Sequence, residues 1–376
     1  MSIQNKNNID INNLDSNMTI KISDASGLLW YAPSEKPFRL AGFNWFEHDK
    51  VYRRLPVKPK PALPDGVESL AWCTAGGQIK FQTDSSRIGI KVKLRNPSNM
   101  DHMPQTGQSG FDLYVGALGK EHFYSVSRFG LNIAEYNCEL FKNDQRKLRN
   151  FILNFPLYNG VEDVQVGLDE NCCIEAPPAF ADERPVVVYG TSITQGGCAS
   201  KPGACYTNIL SRKLNVPFIN LGFSGSGKGE PEVAEHIGRI ENPAMFILDY
   251  EANCGSVEQL NETLPEFVSI LRTARPVTPI LVVSKIRYGQ EALDSKCEKA
   301  SHTPGYREAC KQIQLSLVKS RSDAGDKNIH FFDGSTLLGE DYFECSVDGV
   351  HPTDMGFFRM AAGLEPAIRK ILFNKK

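Results

Sequence analysis

The sequence predicts an all-β, jelly-roll-like sandwich over residues 19–181, followed by a three-layer α/β/α domain with a parallel five-stranded sheet over residues 182–376. Three observations predict this. The first half has the two-residue period of strands, the chain after Pro177-Pro178 alternates apolar runs with helical segments, and 376 residues suit two cores better than one. Residues 1–18 are polar and rich in Asn, and we expect a disordered leader there.

Apolar residues recur at every second position in the first half. Arg87 to Leu94 reads RIGIKVKL, and this alternation predicts a half-buried strand. Short strands without a convincing amphipathic helix favour an antiparallel sandwich, and Gly76-Gly77 and Asn159-Gly160 are predicted hairpin turns. Four further predicted strands cover residues 78–83, 111–115, 122–126 and 164–168.

Short apolar runs and segments with helical spacing alternate along the second half. This pattern predicts a parallel sheet covered on both faces, with ligands beyond the carboxyl ends of its strands. The predicted strands are 185–189, 218–223, 245–248, 280–283 and 329–332. The predicted helices are 206–214, 231–240, 257–273, 306–319 and 355–372.

Composition and charge exclude several classes of partner. A net charge of -2 offers no field for nucleic acid or an anionic membrane, and no apolar run is long enough to span a bilayer. The ten cysteines are scattered, without a C-x-x-C pair or a zinc ligand set. We therefore expect free thiols, no metal, and a cytoplasmic protein without a signal sequence.

Ser192 follows the first apolar run of the second half, within Gly190 to Gly196 (GTSITQG). A serine two residues after a strand lies on a tight turn where the chain enters a helix. Its hydroxyl is then exposed as a nucleophile, and its own N–H faces an incoming oxyanion. A serine at this place can equally be the N-cap of the helix, and the segment alone leaves both interpretations open.

A glycine-rich segment follows the second run, and Gly222 to Lys228 matches G-x-x-x-x-G-K. A nucleotide-binding phosphate loop requires Ser or Thr next, to bind Mg²⁺, whereas this chain has Gly229. We favour a flexible turn in which the N–H of Gly225 donates to an oxyanion. An ordinary strand-to-helix turn is the remaining interpretation.

Asn253 follows the third run, after Asp249-Tyr250-Glu251-Ala252. Its uncharged amide could supply another N–H to an oxyanion. Asparagine is also common in turns for local reasons, and for this residue taken singly that interpretation is favoured.

Asp348 and His351 lie three positions apart, in Asp348-Gly349-Val350-His351-Pro352, just before the last helix. At this spacing the carboxylate can hold one ring nitrogen while the other faces a nucleophile. A lone histidine near a helix start is usually structural. However, Ser, Gly, Asn and Asp-x-x-His occur in this order at strand ends or before a helix, and together they favour a catalytic site.

These segments resemble the sequence blocks of the SGNH (GDSL-type) hydrolase family over roughly residues 183–376. GTSITQG is similar to the first block, Asn220 to Gly225 to the second, and DGVHP to the fifth, while Asn253 falls at the asparagine of G-x-N-D. Residues 39–56 and 74–85 resemble the β-sandwich that precedes the catalytic domain in part of the family. Thr191 and Cys254 replace two common aspartates, and the lipase elbow G-x-S-x-G is absent.

The resemblance implies a serine esterase that needs no cofactor. Ser192 is the expected nucleophile, His351 its base and Asp348 the group that orients it, with Ser192, Gly225 and Asn253 as oxyanion donors. We expect a short-chain acyl ester, acetyl above all, of a small molecule or a carbohydrate. An acyltransferase and a non-catalytic carbohydrate-binding protein are the alternatives. Trp45, Phe46 and Tyr52 could stack on a sugar, but core packing is favoured for them.

Overall fold

The computed structural model describes residues 27–292 and 303–373, together with Asp15 and Ala25. Apart from Asp15, the predicted leader lies outside the described residues. The nine cysteines in the described part of the chain are free thiols. No helix there is both long enough and apolar enough to cross a bilayer.

The first half forms two antiparallel sheets that enclose one apolar core, as predicted. One sheet has the order β1-β9-β4-β7, and the other β10-β3-β8-β5-β6, with β2 also paired to β3. The strands are β1 (Leu28–Tyr31), β2 (Arg39–Ala41), β3 (Gln78–Thr83), β4 (Arg87–Leu94), β5 (Asp112–Val115), β6 (His122–Val126), β7 (Glu135–Lys142), β8 (Arg149–Asn154), β9 (Val161–Asp169) and β10 (Ile174–Glu175). Short helices interrupt them: α1 (Phe46–Asp49), α2 (Asp65–Leu70) and α3 (Gln105–Gln108).

Both predicted hairpin turns of the sandwich are wrong. Asn159-Gly160 joins β8 to β9, which lie in different sheets, so this turn carries the chain across the sandwich. Gly76-Gly77 follows α2 and leads into β3, and does not connect two paired strands. Glycine pairs between strands predict a change of direction, but they do not specify which strands pair.

The second half is a parallel sheet of order β12-β11-β13-β14-β15 with helices on both faces, which confirms the predicted fold class. Its strands are β11 (Val186–Gly190), β12 (Phe218–Gly222), β13 (Met245–Asp249), β14 (Ile280–Val283) and β15 (Ile329–Phe332). Its helices are α4 (Ser192–Gln195), α5 (Tyr206–Leu214), α6 (Pro231–Gly238), α7 (Val257–Ala274), α8 (Pro304–Asp323) and α9 (Asp354–Phe373).

Side chains of the central strand β11 alternate between the two outer layers. Val186 and Val188 pack with α5 and α9, whereas Val187 and Tyr189 pack with α6, α7 and α8. From β11, the chain first adds β12 on one side and then β13 and the later strands on the other. Ligand crevices of open α/β sheets form at such a reversal of strand order, here between β11 and β13. The segments that carry Ser192 and Asn253 leave the sheet at this point.

A few residues of the first half pack into the apolar cores of the α/β half, while the sandwich keeps a core of its own. Leu55, Leu63 and Val67 pack against α6 and α7, although they precede the α/β half in sequence. Trp45 is half-buried against the same layer, while Phe46 and Tyr52 stack within the sandwich at a ring separation of 5.1 Å. Core packing thus accounts for these aromatics, and a boundary between residues 181 and 182 stays a prediction.

Asp112 on β5 ties the sandwich to the loop between α4 and α5. Its carboxylate is fully buried and accepts hydrogen bonds from the Gly203 N–H at 2.5 Å and from Asn154 Nδ2 at 2.7 Å. Burial raises the pKa of Asp112 to about 6, although both hydrogen bonds favour the charged form. The folded state therefore holds this proton to a higher pH than the unfolded chain.

We expect the Asp112→Asn variant to lose the part of the pH dependence of the free energy of unfolding that comes from Asp112. As pH rises from about 4 to about 6, the folded protein binds more protons than the unfolded chain, so the contribution of Asp112 falls by at most about 1.4 kcal/mol per pH unit. Urea unfolding of both proteins across this range should show the wild-type advantage decreasing, then constant above pH ~7. A difference that does not change with pH would contradict this.

Candidate active site

Ser192, His351 and Asp348 form a continuous hydrogen-bonded chain. Ser192 Oγ lies 2.8 Å from His351 Nε2, and His351 Nδ1 lies 2.7 Å from Asp348 Oδ2. If Nδ1–H donates to the carboxylate, Nε2 is left to accept from the serine hydroxyl. Ser192 is only 8% exposed, so a ligand can reach its hydroxyl from one side only.

Thr191 determines how the chain enters α4 at Ser192. Thr191 has extended backbone dihedrals, and its hydroxyl accepts a hydrogen bond from the Ile193 N–H at 3.2 Å. Thr191 is therefore the N-cap, and Ser192 is the first residue of the helix. The N-cap alternative for Ser192 is thus wrong, and the cap is Thr191, the residue noted above as replacing a common aspartate.

The turn after β12 packs directly on α4. A Cβ at Gly222 would lie 2.2 Å from the Gln195 backbone nitrogen, so only glycine fits. Asn220 Nδ2 donates to the Thr194 carbonyl at 2.7 Å, and the Ser224 N–H donates to Gln195 Oε1 at 3.1 Å. The glycine-rich segment serves this close packing. It does not lead into a helix at its lysine, as a phosphate-binding loop would, since α6 begins at Pro231.

The three predicted oxyanion donors lie on neighbouring turns. Gly225 has a left-handed φ of 66°, and no acceptor for its N–H or for that of Ser192 lies among the described residues. Asn253 ends a single 3₁₀ turn after β13, and its Nδ2 donates to the Phe223 carbonyl at 3.1 Å. This bond holds the amide beside the Gly225 turn and occupies only one of its two N–H groups.

A closed turn presents His351 to the serine. The Val347 N–H donates to the His351 carbonyl at 2.9 Å, while Asp348 Oδ1 accepts from the N–H groups of Val350 at 3.0 Å and His351 at 2.7 Å. Partial burial raises the pKa of Asp348, but these hydrogen bonds and that from the imidazole outweigh it, so the pKa lies below its usual range. A charged Asp348 can stabilise an imidazolium.

Two residues of the N-terminal half, missed by the sequence analysis, support these turns. Tyr158 donates its hydroxyl to the Ser192 carbonyl at 3.1 Å. Arg54 is fully buried, and its guanidinium donates to the carbonyls of Gly222 at 2.5 Å and Asn220 at 3.3 Å. A sequence signal for Arg54 was its place beside another arginine in an otherwise apolar stretch, but its partners are 166 and 168 positions away.

The chain matches known families over both halves. Residues 183–369 match the GDSL-like lipase/acylhydrolase family. Residues 28–174 match the GxDLY domain, described as the N-terminus of SGNH-hydrolase-type esterases, and Gly110 to Tyr114 of this chain reads GFDLY. A comparison with curated proteins finds no match.

Solved structures resemble the chain over 92% of its length. A GDSL-like lipase from Bacteroides ovatus ATCC 8483 is 30% identical with a TM-score of 0.82, and the alignment covers 92% of this chain and 98% of that one. The salicylyl-acyltransferase SsfX3 of a tetracycline biosynthetic pathway is 18% identical with a TM-score of 0.73, covering 92% and 99%. A family two carbohydrate esterase from Cellvibrio japonicus is 15% identical with a TM-score of 0.59, covering 92% and 98%.

The acyltransferase and the carbohydrate esterase share only the fold with this chain. The Bacteroides ovatus protein is similar in sequence as well, over nearly the full length of both chains. Together with the two family matches, it confirms the resemblance drawn from the sequence blocks. The chain therefore belongs to the GDSL-like lipase/acylhydrolase family and is an enzyme of the SGNH esterase type.

Proposed function

We propose that the protein hydrolyses short-chain acyl esters, acetyl esters above all, of a carbohydrate, with Ser192 as nucleophile. The observation that carries this proposal is the unbroken contact from Ser192 Oγ through the His351 imidazole to the Asp348 carboxylate. Such a chain raises the nucleophilicity of a serine hydroxyl, because the imidazole accepts its proton as the new bond forms.

Acylation begins when Ser192 Oγ attacks the ester carbonyl carbon and its proton passes to His351 Nε2. The carbonyl oxygen becomes an oxyanion, held by the N–H groups of Ser192 and Gly225 and by the free amide N–H of Asn253. The tetrahedral intermediate expels the alcohol, which takes its proton from His351, and an acyl-Ser192 ester remains. Asp348 stabilises the transient imidazolium through its 2.7 Å contact with Nδ1.

Deacylation repeats these steps with water as the nucleophile. His351 accepts a proton from water, the hydroxide oxygen adds to the acyl carbon, and collapse of the second intermediate releases the acid and returns the proton to Ser192. No redox step occurs, and the described side chains supply every proton acceptor that the cycle needs.

The carbohydrate part of the proposal is supported by the kind of enzyme that shares this architecture. The Cellvibrio japonicus structure is a carbohydrate esterase, and a second one, from Clostridium thermocellum, holds cellohexaose. Both share the fold with this chain at 15% and 16% identity, and on this likeness we propose an acetylated carbohydrate as the substrate class.

A panel of acetylated and longer-acyl substrates tests the proposal. The purified protein should release acetate from acetylated mono- and oligosaccharides faster than it releases octanoate from matched esters. Acetate release would be followed by a coupled assay, with heat-inactivated protein as the control. Hydrolysis of long-chain esters alone would contradict the short-chain assignment, and hydrolysis of simple acetates without acetylated sugars would contradict the carbohydrate assignment.

Acyl transfer is the second candidate, because the SsfX3 acyltransferase has the same fold over 92% of this chain. In transfer, an alcohol rather than water attacks the acyl-Ser192 ester. Incubation with an acyl donor and sugar alcohols, followed by quantification of transferred and hydrolysed product, separates the two. Free acid as the dominant product at millimolar acceptor would support hydrolysis, and dominant transferred ester would support the acyltransferase.

We expect Asn253→Ala to lower kcat by about 10²–10³-fold with little change in KM, since it removes a donor that acts mainly on the oxyanion. Steady-state kinetics on p-nitrophenyl acetate measure this. Asn261→Ala, at an exposed position on α7, is the matched control and should retain the wild-type kcat. Loss confined to KM would show that Asn253 binds the ground state instead.

A further inference from the structure

Three metal-ligating side chains from distant parts of the chain converge at the active site. His102, Cys198 and His351 each offer one ligand atom, and these atoms lie within 4.8 Å of one another. His102 comes from the segment between β4 and α3 of the N-terminal half, and Cys198 from the loop after α4. Neither residue has a part in the esterase mechanism proposed above.

A carboxylate lies against one ring nitrogen of each histidine. His351 Nδ1 contacts Asp348 at 2.7 Å, and His102 Nδ1 lies 3.2 Å from Asp101 Oδ1. Metal-binding histidines typically have such a carboxylate on the nitrogen that does not bind the metal, because it fixes the tautomer and orients the ring. His102 Nε2 also lies 4.0 Å from Asp348 Oδ2, so two carboxylates favour a cation here.

Cys198 is buried, and its sulfur is one of the three ligand atoms of this cluster. The residue is 4% exposed, and its φ of 72° is a left-handed conformation that a cysteine rarely adopts. Burial raises the pKa of its thiol to about 12, so in the free enzyme it is a neutral thiol and not a nucleophile. A metal ion that binds the sulfur displaces this proton to solvent.

We propose that His102, Cys198 and His351 bind Zn²⁺ reversibly, and that the bound ion inhibits the enzyme. Two imidazoles and a thiolate are the donor set that Zn²⁺ prefers, whereas Mg²⁺ and Ca²⁺ require oxygen ligands. Zinc–nitrogen and zinc–sulfur bonds of about 2.0–2.3 Å require the three atoms to close together by about 1 Å. His102 can make this movement, since it is 36% exposed at its side chain and lies outside regular structure.

Inhibition follows from which atom of His351 the ion takes. Nδ1 is engaged by Asp348, so Zn²⁺ binds Nε2, the atom that otherwise accepts the Ser192 proton. The ion thus removes the general base while leaving the fold unchanged. The inhibitory effect rests on the proposed function, but the binding of the ion does not.

Calorimetric titration with Zn²⁺ tests the site independently of activity. The full-length protein should bind one ion with a Kd in the micromolar range or below, and His102→Ala and Cys198→Ser should each weaken binding at least about tenfold. His122→Ala, at an exposed histidine of the sandwich, is the matched control and should bind like wild type. With Co²⁺ as the probe, a thiolate-to-metal charge-transfer band should appear in wild type and be absent from Cys198→Ser.

The same proteins then measure inhibition of p-nitrophenyl acetate hydrolysis, each against its own zinc-free rate. We expect Zn²⁺ to inhibit wild type at concentrations near the Kd, EDTA to restore activity, and both ligand variants to need at least about tenfold more Zn²⁺. Zinc binding that is absent, or unaffected by both substitutions, would overturn the site. Active enzyme that binds Zn²⁺ without inhibition would overturn the regulatory claim, whereas zinc binding by an enzyme without esterase activity would overturn the proposed function alone.

Discussion

Replacement of Ser192 with alanine is expected to reduce kcat/KM for p-nitrophenyl acetate by about 10⁴-fold or more. The reason is that Ser192 Oγ, 2.8 Å from His351 Nε2, is the one hydroxyl among the described residues that contacts this nitrogen. The variant should still hydrolyse the ester faster than water alone does. In Ser-His-Asp enzymes this residual rate comes from the oxyanion donors and from substrate binding.

The side chain of Ser192 can be removed without loss of fold, because Thr191 and not Ser192 caps α4. The thermal midpoint of Ser192→Ala should therefore stay close to that of wild type. Ser269→Ala, at an exposed position on α7, controls for loss of a serine elsewhere and should keep full activity. A Ser192→Ala protein that is folded and retains wild-type turnover would refute the proposed mechanism.

Replacement of Arg54 with methionine is expected to lower the free energy of unfolding by about 3–5 kcal/mol. Its guanidinium is fully buried and bonds to four carbonyls, those of Leu70, Cys73, Asn220 and Gly222, and it lies over the Phe223 ring at 4.7 Å. Burial lowers the pKa of Arg54 to about 10, so the group stays charged at neutral pH. Methionine fills the space but leaves these carbonyls without donors.

The same substitution should lower kcat, because Arg54 positions the turn that carries Gly225. We expect a fall of up to about 10²-fold, with KM changed much less, as for loss of one oxyanion donor. Arg53→Met is the matched control. Arg53 is also buried, but its guanidinium pairs with Glu68 of the N-terminal half at 2.7 Å instead of binding the Gly222 turn. This variant should lose stability and keep its kcat, and equal kcat losses in both variants would contradict a positioning role for Arg54.

The α/β half could be predicted closely because its signals are local. Each strand is an apolar run between turn residues, and α5 has the bounds that its helical spacing predicts, Tyr206–Leu214. Ser192 and Asn253 each follow a predicted strand, and the carboxyl ends of parallel strands lie at the same edge of a sheet. Their proximity could therefore be predicted without knowing how the helices pack. His351 lies 159 positions from Ser192, and its Asp-x-x-His segment pointed to a catalytic site only in combination with the Ser, Gly and Asn segments that precede it.

The contributions of the N-terminal half could not be predicted in this way. Arg54, Tyr158 and His102 reach the candidate site through contacts with partners in the other half of the chain. The Arg53-Arg54 pair in an apolar stretch marks Arg54 as unusual, but it does not indicate which carbonyls the side chain binds. The two hairpin predictions for the sandwich were wrong for the same reason. Which strands pair depends on packing within the whole sandwich, and the turn residues alone do not specify it.

The claim on which the account depends is that His351 activates Ser192 as a nucleophile. Labelling with a fluorophosphonate probe, followed by peptide mapping, measures this most directly, because the probe reacts with activated serines. We expect one adduct, on Ser192, in the wild-type protein, and strongly reduced labelling in His351→Ala. An unlabelled wild-type protein, as a non-catalytic carbohydrate-binding protein would be, or an adduct on a different serine, would contradict the account.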